Sequence, residues 1–416
     1  GLLGDRVAVR PLVVGRCGQI VTMQGPKRAR VGPEMGDIGL IADGAMIVRD
    51  GKIEAVGPQD EIEWIAPADA DYYDAGGRLV TPGLVDAHTH LVFGGDRMDD
   101  FEARSQGKTY AEIATAGGGI WRTVAATRPL ATEALAKQAA KHFDLLRRHG
   151  TTVAESKTGY ALDRDGELRS LRALQSLRPR IVPTLLAAHA YPKDQDPQAY
   201  LDMVCDELVP FAAQEGLARD VDIFVEEGYF SHKDAERLAL AARAHGLGLR
   251  MHVDQLADSG GAGLAARLGA RTADHLEHTG ADGIVALAEA GVTPVLLPGS
   301  VWGLGLSRYP LGREMLDAGL PVVLATDFNP GSSPVPSLPF CMALACRFMR
   351  MTPAECLTAV TVNAAATLGL EGSHGALMPG MVADFAVWEA EDYRELAYWP
   401  DVARPKDVFG NRLDLC

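Results

Sequence analysis

From Pro82 onward the chain repeats one unit, a short apolar run followed by a stretch of helical period. The runs fall at 84–87, 152–155, 181–186, 221–225, 248–252, 272–275, 293–297 and 321–325, with helix-like stretches such as 133–149, 235–245 and 283–290 between them. Strands joined this way are not hairpin neighbours, because a crossover of a dozen residues or more returns the chain in its original direction. Eight units predict a parallel, TIM-like (β/α)8 barrel, an architecture of roughly 250 residues. Ahead of it, residues 8–80 read as short alternating segments, such as Ala45-Met-Ile-Val and Lys52-Ile-Glu-Ala-Val, separated by Asp-Gly and Gly-Pro turns. That is the grammar of small antiparallel β structure. The tail from Gly375, with Ala383-Asp-Phe-Ala-Val-Trp, turns β-like again. We therefore expect an α/β chain with a barrel over 81–369 and a small β-sandwich domain built from both chain ends, 1–80 with 370–416.

In a parallel barrel the C-terminal strand ends converge on one face, where active sites sit. The first run ends in Asp86-Ala-His88-Thr-His90, and positions i and i+2 of an extended chain point the same way. Alone the pair is weak: eleven histidines in 416 residues produce about 0.3 such pairs by chance. Its weight comes from His189, His252, His275 and Asp327, which stand at later strand ends and would meet it. His88, His90, His252 and Asp327 together supply three nitrogens and a carboxylate oxygen, a set suited to one divalent metal such as Zn2+ or Fe2+. His275 ends its apolar run and is preferred over His278, which reads as a loop residue.

A net charge of −15 disfavours nucleic acid or an anionic membrane as a partner. No uncharged apolar run approaches the roughly 20 residues that span a bilayer, and no basic-then-apolar leader is seen, so a cytoplasmic location is expected. Cys17, Cys205, Cys341, Cys346, Cys356 and Cys416 are scattered without a C-x-x-C pair, which reads as reduced thiols. Gly117 to Gly119 lack the lysine of a phosphate loop and read as a tight turn. The arginine-rich stretch 164–180 reads as a solvated helix face.

The stretch Pro82-Gly-Leu-Val-Asp-Ala-His-Thr-His, the histidines ending runs five and six, and Leu324-Ala-Thr-Asp resemble the amidohydrolase superfamily. Its members share a (β/α)8 barrel and a metal-activated water. Phe93-Gly-Gly-Asp-Arg97, Ala116-Gly-Gly-Gly-Ile, Glu155-Ser-Lys-Thr-Gly-Tyr160, Ala187-Ala-His189-Ala, His252-Val-Asp-Gln255, Ala273-Asp-His275-Leu and Asp327-Phe-Asn329-Pro-Gly331-Ser332 are, as an ordered set, similar to the imidazolonepropionase family. The similarity runs over about 83–365 and is weaker in both flanks.

The resemblance implies one metal on His88, His90, His252 and Asp327, and contacts to a small carboxylated substrate from Arg97, Tyr160, His189, Asn329, Gly331 and Ser332. It implies hydrolysis of the cyclic amide C–N bond of 4-imidazolone-5-propanoate to N-formimino-L-glutamate, in histidine degradation. Arg97 suits the propionate, because a guanidinium grips a carboxylate through two parallel hydrogen bonds. Asp327 is expected to take a proton from water and deliver it to the departing ring nitrogen, with His275 orienting the water or stabilising the oxyanion. Lys157, within Ser-Lys-Thr-Gly-Tyr, is expected to form a structural ion pair, where two-metal relatives use a carbamylated lysine. His278 departs from the tyrosine common in the family.

Gln255 separates this chain from deaminases of the superfamily, which carry H-x-x-E. An amide does not titrate usefully, so it cannot shuttle protons and is better suited to recognising a ring by hydrogen bonds. Two other readings stay open: a related cyclic-amide hydrolase or aminohydrolase acting on another small carboxylated heterocycle, and a catalytically silent metal-binding scaffold. A homodimer is the assembly left open.

Overall fold

The computed structural model describes residues 9–410, so Cys416 and the outermost parts of the expected end-built domain lie outside the described residues. The first part of the chain contributes strands β1 (Leu12–Val21), β2 (Leu40–Arg49), β3 (Lys52–Pro58), β4 (Asp71–Asp74) and β5 (Leu79–Pro82). There follow β6 (Leu84–Asp86), β7 (Thr151–Lys157), β8 (Ile181–Ala188) and β9 (Asp220–Phe224). Next come β10 (Gly248–Val253), β11 (Thr272–His275), β12 (Thr293–Leu296) and β13 (Val323–Leu324). Last are β14 (Phe385–Trp388) and β15 (Pro405–Phe409).

Strands β6 to β13 form one eight-stranded sheet in chain order, every neighbouring pair parallel. A bridge between Thr89 and Phe328 joins its two edges beyond the strand ends and closes the barrel. All eight expected strands are present. The eighth is the shortest, because the chain past Leu324 leaves the ladder to zip onto the end of β6: the Asp327 amide donates to the His88 carbonyl at 2.9 Å and the His90 amide to the Phe328 carbonyl at 2.8 Å.

Successive strand residues face opposite ways, and here the inward set is polar. Glu155 and Lys157 of β7, Asp220 and Asp222 of β9, Arg250 and His252 of β10, and Thr272 and Asp274 of β11 are all buried and alternate with small or apolar residues. Their charges are compensated in place. Lys157 Nζ lies 2.5 Å from Glu155 Oε2 and 2.8 Å from Asp222 Oδ2, while Arg250 Nε donates to Asp220 at 2.8 Å. Burial works against the Lys157 ammonium, but Asp222 and Glu155 outweigh it and hold the amine protonated. The ion-pair role expected for Lys157 is the one the structure gives it.

The two chain ends meet in a second sheet, ordered β15-β14-β5-β1-β2-β3 with β4 also on β1. It is mixed, where purely antiparallel pairing was expected. After the β2–β3 hairpin, the helix Gln59–Ile65 carries the chain across, so that β4 and β5 both run parallel to β1.

Arg180 corrects a second expectation. The helix Arg164–Gln175 does expose Arg164 and Arg172, but Arg180 lies just before β8 and is only 4% exposed. Its guanidinium pairs with Asp384 ahead of β14 and donates to the Thr152 carbonyl at 3.2 Å. A cation there bridges the N-terminal ends of the barrel strands to the second sheet. Trp388, fully buried, seals the same junction by donating from Nε1 to Thr81 Oγ1 at 2.9 Å. Among the described residues no helix is long and apolar enough to cross a membrane.

Candidate active site

The zipped ends of β6 and β13 fix the first three polar groups. Asp327 sits at φ 53°, a left-handed conformation that a non-glycine residue holds only when its surroundings enforce it. Its Oδ1 lies 3.1 Å from His88 Nε2 and 3.0 Å from His90 Nε2, and these two nitrogens are 3.3 Å apart. Such spacings are close to the roughly 3.3 Å edge of a tetrahedron with metal bonds of about 2.0–2.1 Å.

His252 arrives from β10. Its Nε2 is buried and has no hydrogen-bond partner among the described residues, and His88, His252 and His275 offer ring nitrogens within 4.8 Å of one another. A buried imidazole nitrogen left without a partner beside three crowded donor atoms fits a cation held by His88, His90, His252 and Asp327.

Behind these groups stand carboxylates that the sequence reading did not single out. His88 Nδ1 meets Asp274 Oδ2 at 2.5 Å and His252 Nδ1 meets Asp222 Oδ1 at 2.9 Å, which turns each Nε2 toward the common point. Burial opposes ionisation of Asp222, but His252 and Lys157 outweigh it and keep the carboxyl well below its ordinary range. Asp327 is likewise held low against burial, by His88 and His90. A signal for the backing carboxylates exists in the sequence. In Asp220-Val-Asp222 and Thr272-Ala-Asp274, polar residues two apart flank an apolar one, the pattern of a polar inward face.

Above the cluster opens a cavity of about 450 Å³ lined by His90, His252, His275 and Asp327. Arg97, Tyr160, His189, Gln255, Asn329, Gly331 and Ser332 line it too, so the site residues read from the sequence share one chamber, with His88 buried beneath it.

Arg97 donates from Nε to Thr123 Oγ1 at 2.8 Å and has no carboxylate partner among the described residues. A Cβ at position 331 would stand 2.2 Å from Arg97 Nη1, so only glycine leaves the guanidinium its place. His189 meets the Gly159 carbonyl with Nδ1 at 2.9 Å, and burial with the neighbouring His252 pushes its pKa down to about 4. It is therefore a neutral imidazole whose Nε2 can accept a hydrogen bond. Gly159 has φ 113°, and a Cβ there would lie 2.8 Å from that same Nδ1. Burial pushes the Tyr160 phenol up, so it keeps its proton as a donor.

Asn329 spends its polar atoms on its own loop. Oδ1 accepts from the Gly331 and Ser332 amides, both at 2.8 Å, and Nδ2 donates to the Asp327 carbonyl at 2.7 Å and Ser332 Oγ at 2.9 Å. His278 lies in the turn after β11 and lines a neighbouring hollow.

Arg104, Tyr110, Phe224 and Tyr229 also line the cavity and were not singled out from the sequence. Apart from Phe224, which ends β9, they come from helices and turns outside the strands, where no strand-end rule applies. The Tyr110 and Tyr229 hydroxyls lie 3.4 Å apart at the rim. In a larger hollow of about 600 Å³, around Cys346 and Tyr398, Arg394 pairs with Asp392, Arg347 donates to the Ala397 carbonyl at 3.0 Å, and among the described residues no cluster of metal-ligating side chains falls there.

Residues 79–410 match the model of the amidohydrolase family. An imidazolonepropionase of Solibacter usitatus is 50% identical over 92% of this chain and 93% of its own length. One of Chloroflexus aggregans is 45% identical over 93% and 94%. A 5-methylcytosine deaminase from Klebsiella pneumoniae, solved with 5-fluorocytosine, shares the fold at a TM-score of 0.69 over 94% of this chain and 95% of its own, with 19% identity. Ligand geometry, cavity and relatives converge: the chain belongs to the imidazolonepropionase family of amidohydrolases.

Proposed function

We propose that this cavity hydrolyses the ring amide of 4-imidazolone-5-propanoate to N-formimino-L-glutamate, the reaction of histidine degradation that its family carries out. The observation that carries the reading is the meeting, at one chamber, of two overlapping groups of ligating side chains, His88 with His90 and Asp327 and His88 with His252 and His275, with a guanidinium lacking any carboxylate of its own among the described residues. A divalent cation, Zn2+ or Fe2+, bound by His88, His90, His252 and Asp327 would lower the pKa of water and polarise the amide carbonyl.

The chain's own groups do the rest. Arg97 binds the propionate, with Nε kept on Thr123 so that its remaining N–H donors face the cavity. His189 Nε2 accepts from the ring, the Tyr160 and Ser332 hydroxyls donate to it, and the Gln255 amide contacts its edge. Asn329 holds the turn that presents Gly331 and Ser332. Asp327 divides its oxygens: Oδ1 faces His88 and His90, while Oδ2 lies 3.7 Å from His275 Nε2. Oδ2 takes the proton of the attacking water. As the new C–O bond forms and the ring C–N bond breaks, that proton passes to the departing nitrogen. His275 Nε2 accepts a hydrogen bond from the attacking water and orients it beside Asp327 Oδ2.

Gln255 argues against a deaminase, since its amide has no proton to exchange in the useful range. We further infer a cytoplasmic enzyme, in keeping with free Cys17, Cys205, Cys341, Cys346 and Cys356. We also take 81–369 and the joined ends, 1–80 with 370–416, as its structural units. Sheet membership changes between β5 and β6 and again before β14, which supports that division.

The test is substrate depletion by metal-loaded protein, with the imidazolone run beside its hydantoin and guanine analogues. We expect consumption of the imidazolone alone. A metal-loaded, folded protein inert toward it would overturn the reading in favour of a silent scaffold, and turnover of guanine would favour an aminohydrolase.

A further inference from the structure

We propose that Glu277 is a positioning residue for this reaction: it holds the His275 imidazole from behind, keeps a proton on Nδ1 and so commits Nε2 to the substrate side. The inference rests on the role given to His275 above. His275 Nδ1 lies 3.3 Å from Glu277 Oε1, while Nε2 faces Asp327 Oδ2 across 3.7 Å. Catalytic pairs commonly show so long a contact before substrate tightens them. Both residues are buried, at 1% and 3% exposure. An ionised carboxylate only accepts, so a histidine nitrogen facing it must donate, and the tautomer is set.

The backbone goes to some length to make this contact. His275 at φ 81° and Leu276 at φ 66° are consecutive left-handed residues, neither of them glycine. Such conformations are strained for residues that carry a Cβ and persist where the surroundings enforce them. Three hydrogen bonds do so here. The Leu276 amide donates to the Val253 carbonyl at 3.1 Å, the His278 amide to Asp254 at 2.9 Å, and Arg308 Nε to the Glu277 carbonyl at 3.1 Å. Together they fold the chain back so that residue 277 stands behind residue 275.

Glu277 also opens elsewhere than His275 does. It lines a second chamber of about 290 Å³, which shares Gln255, Leu256, Leu304 and Leu306 with the substrate cavity, while His275 lines only the latter. The pair therefore spans the wall between two chambers. Glu277 Oε2 is buried and has no protein partner among the described residues. A small anion can reach the same place if the side chain is shortened.

The test uses zinc-loaded protein with three readouts. Nitrogen-15 NMR of histidine-labelled wild type should find the proton of His275 on Nδ1, a result independent of any substrate. Glu277→Gln, of equal size, can donate to Nδ1 as well as accept, and should lower kcat on the order of 100-fold with KM changed less than about threefold. Glu277→Ala should fall similarly and be restored at least about fivefold by formate but not by chloride at equal ionic strength, because only a carboxylate replaces the missing acceptor. An unprotonated Nδ1 in wild type, near-normal kcat in Glu277→Gln, or equal effects of formate and chloride would each overturn the proposal. Wild type that is inert toward the imidazolone would instead sink the functional reading, leaving the ring's protonation still readable.

Discussion

Asp327 has two oxygens with two neighbourhoods, and the chemistry proposed here depends on the second. Asp327→Asn keeps an oxygen that can face His88 and His90 but places an amide that cannot take a proton near His275. We expect turnover to fall by at least about 1,000-fold while metal content, measured on the purified variant, stays near stoichiometric. Near-normal turnover with metal bound would refute the proton path. Arg97 acts differently, since its partner is the end of the substrate that does not react. Arg97→Ala should raise KM by about 10- to 100-fold with a smaller effect on kcat, read from initial rates over a range of imidazolone concentrations. An unchanged KM would remove the carboxylate role. Asp327 was legible because one topological rule puts all strand ends on one face, whereas Arg97, well past β6 and just ahead of the helix Met98–Ser105, was legible only through the family motif that contains it. Asp222, Asp274 and Glu277 were not legible, since period-two alternation marks a residue as inward without saying which imidazole it will touch. The left-handed turn at His275 and Leu276 that swings Glu277 behind the ring has no sequence signature at all.

At the scale of elements, the loop carrying Tyr160 hangs from one buried side chain. Glu167, in the first turn of the helix Arg164–Gln175, accepts from the Gly159 and Ala161 amides at 3.3 and 3.2 Å. Its burial pushes its pKa from 4.5 up to about 7, against those hydrogen bonds. A carboxyl whose folded pKa is raised binds protons more tightly when folded, so its contribution is full below about 4.5 and is lost as pH rises through about 7. Glu167→Gln removes that titration and keeps an acceptor for the amides. Between pH 5 and pH 8 the variant should therefore gain on wild type by on the order of 1–3 kcal/mol, followed by thermal melts across that range. A difference that does not change with pH would mean that Glu167 is not titrating there. Periodicity revealed the helix, as it did the barrel strands. It could not show that a charged residue in the first turn points inward, because the amides it caps belong to the preceding loop.

Over the whole molecule, catalysis and cohesion occupy opposite ends of the barrel. The cavity lies at the C-terminal strand ends, while Arg180, Asp384, Trp388 and Thr81 gather where the strands begin and the second sheet attaches. The sequence showed that both chain ends are β-like but not what fastens them. Arg180 sat within an arginine-rich stretch whose neighbours are solvated, and its partner is 204 positions away. Removing one member of a buried ion pair leaves the other charged and unpaired, at a cost of about 3–5 kcal/mol, whereas replacing both with apolar groups is often close to neutral. Arg180→Leu should thus lower the thermal midpoint by several degrees, and adding Asp384→Leu should recover part of the loss. Because none of these atoms lines the cavity, kcat measured well below the melting range should stay within about twofold of wild type in both variants. A single variant that melts normally would show the pair to be dispensable. A large loss of kcat in folded protein would instead mean that the junction of the two sheets is felt at the far end of the barrel.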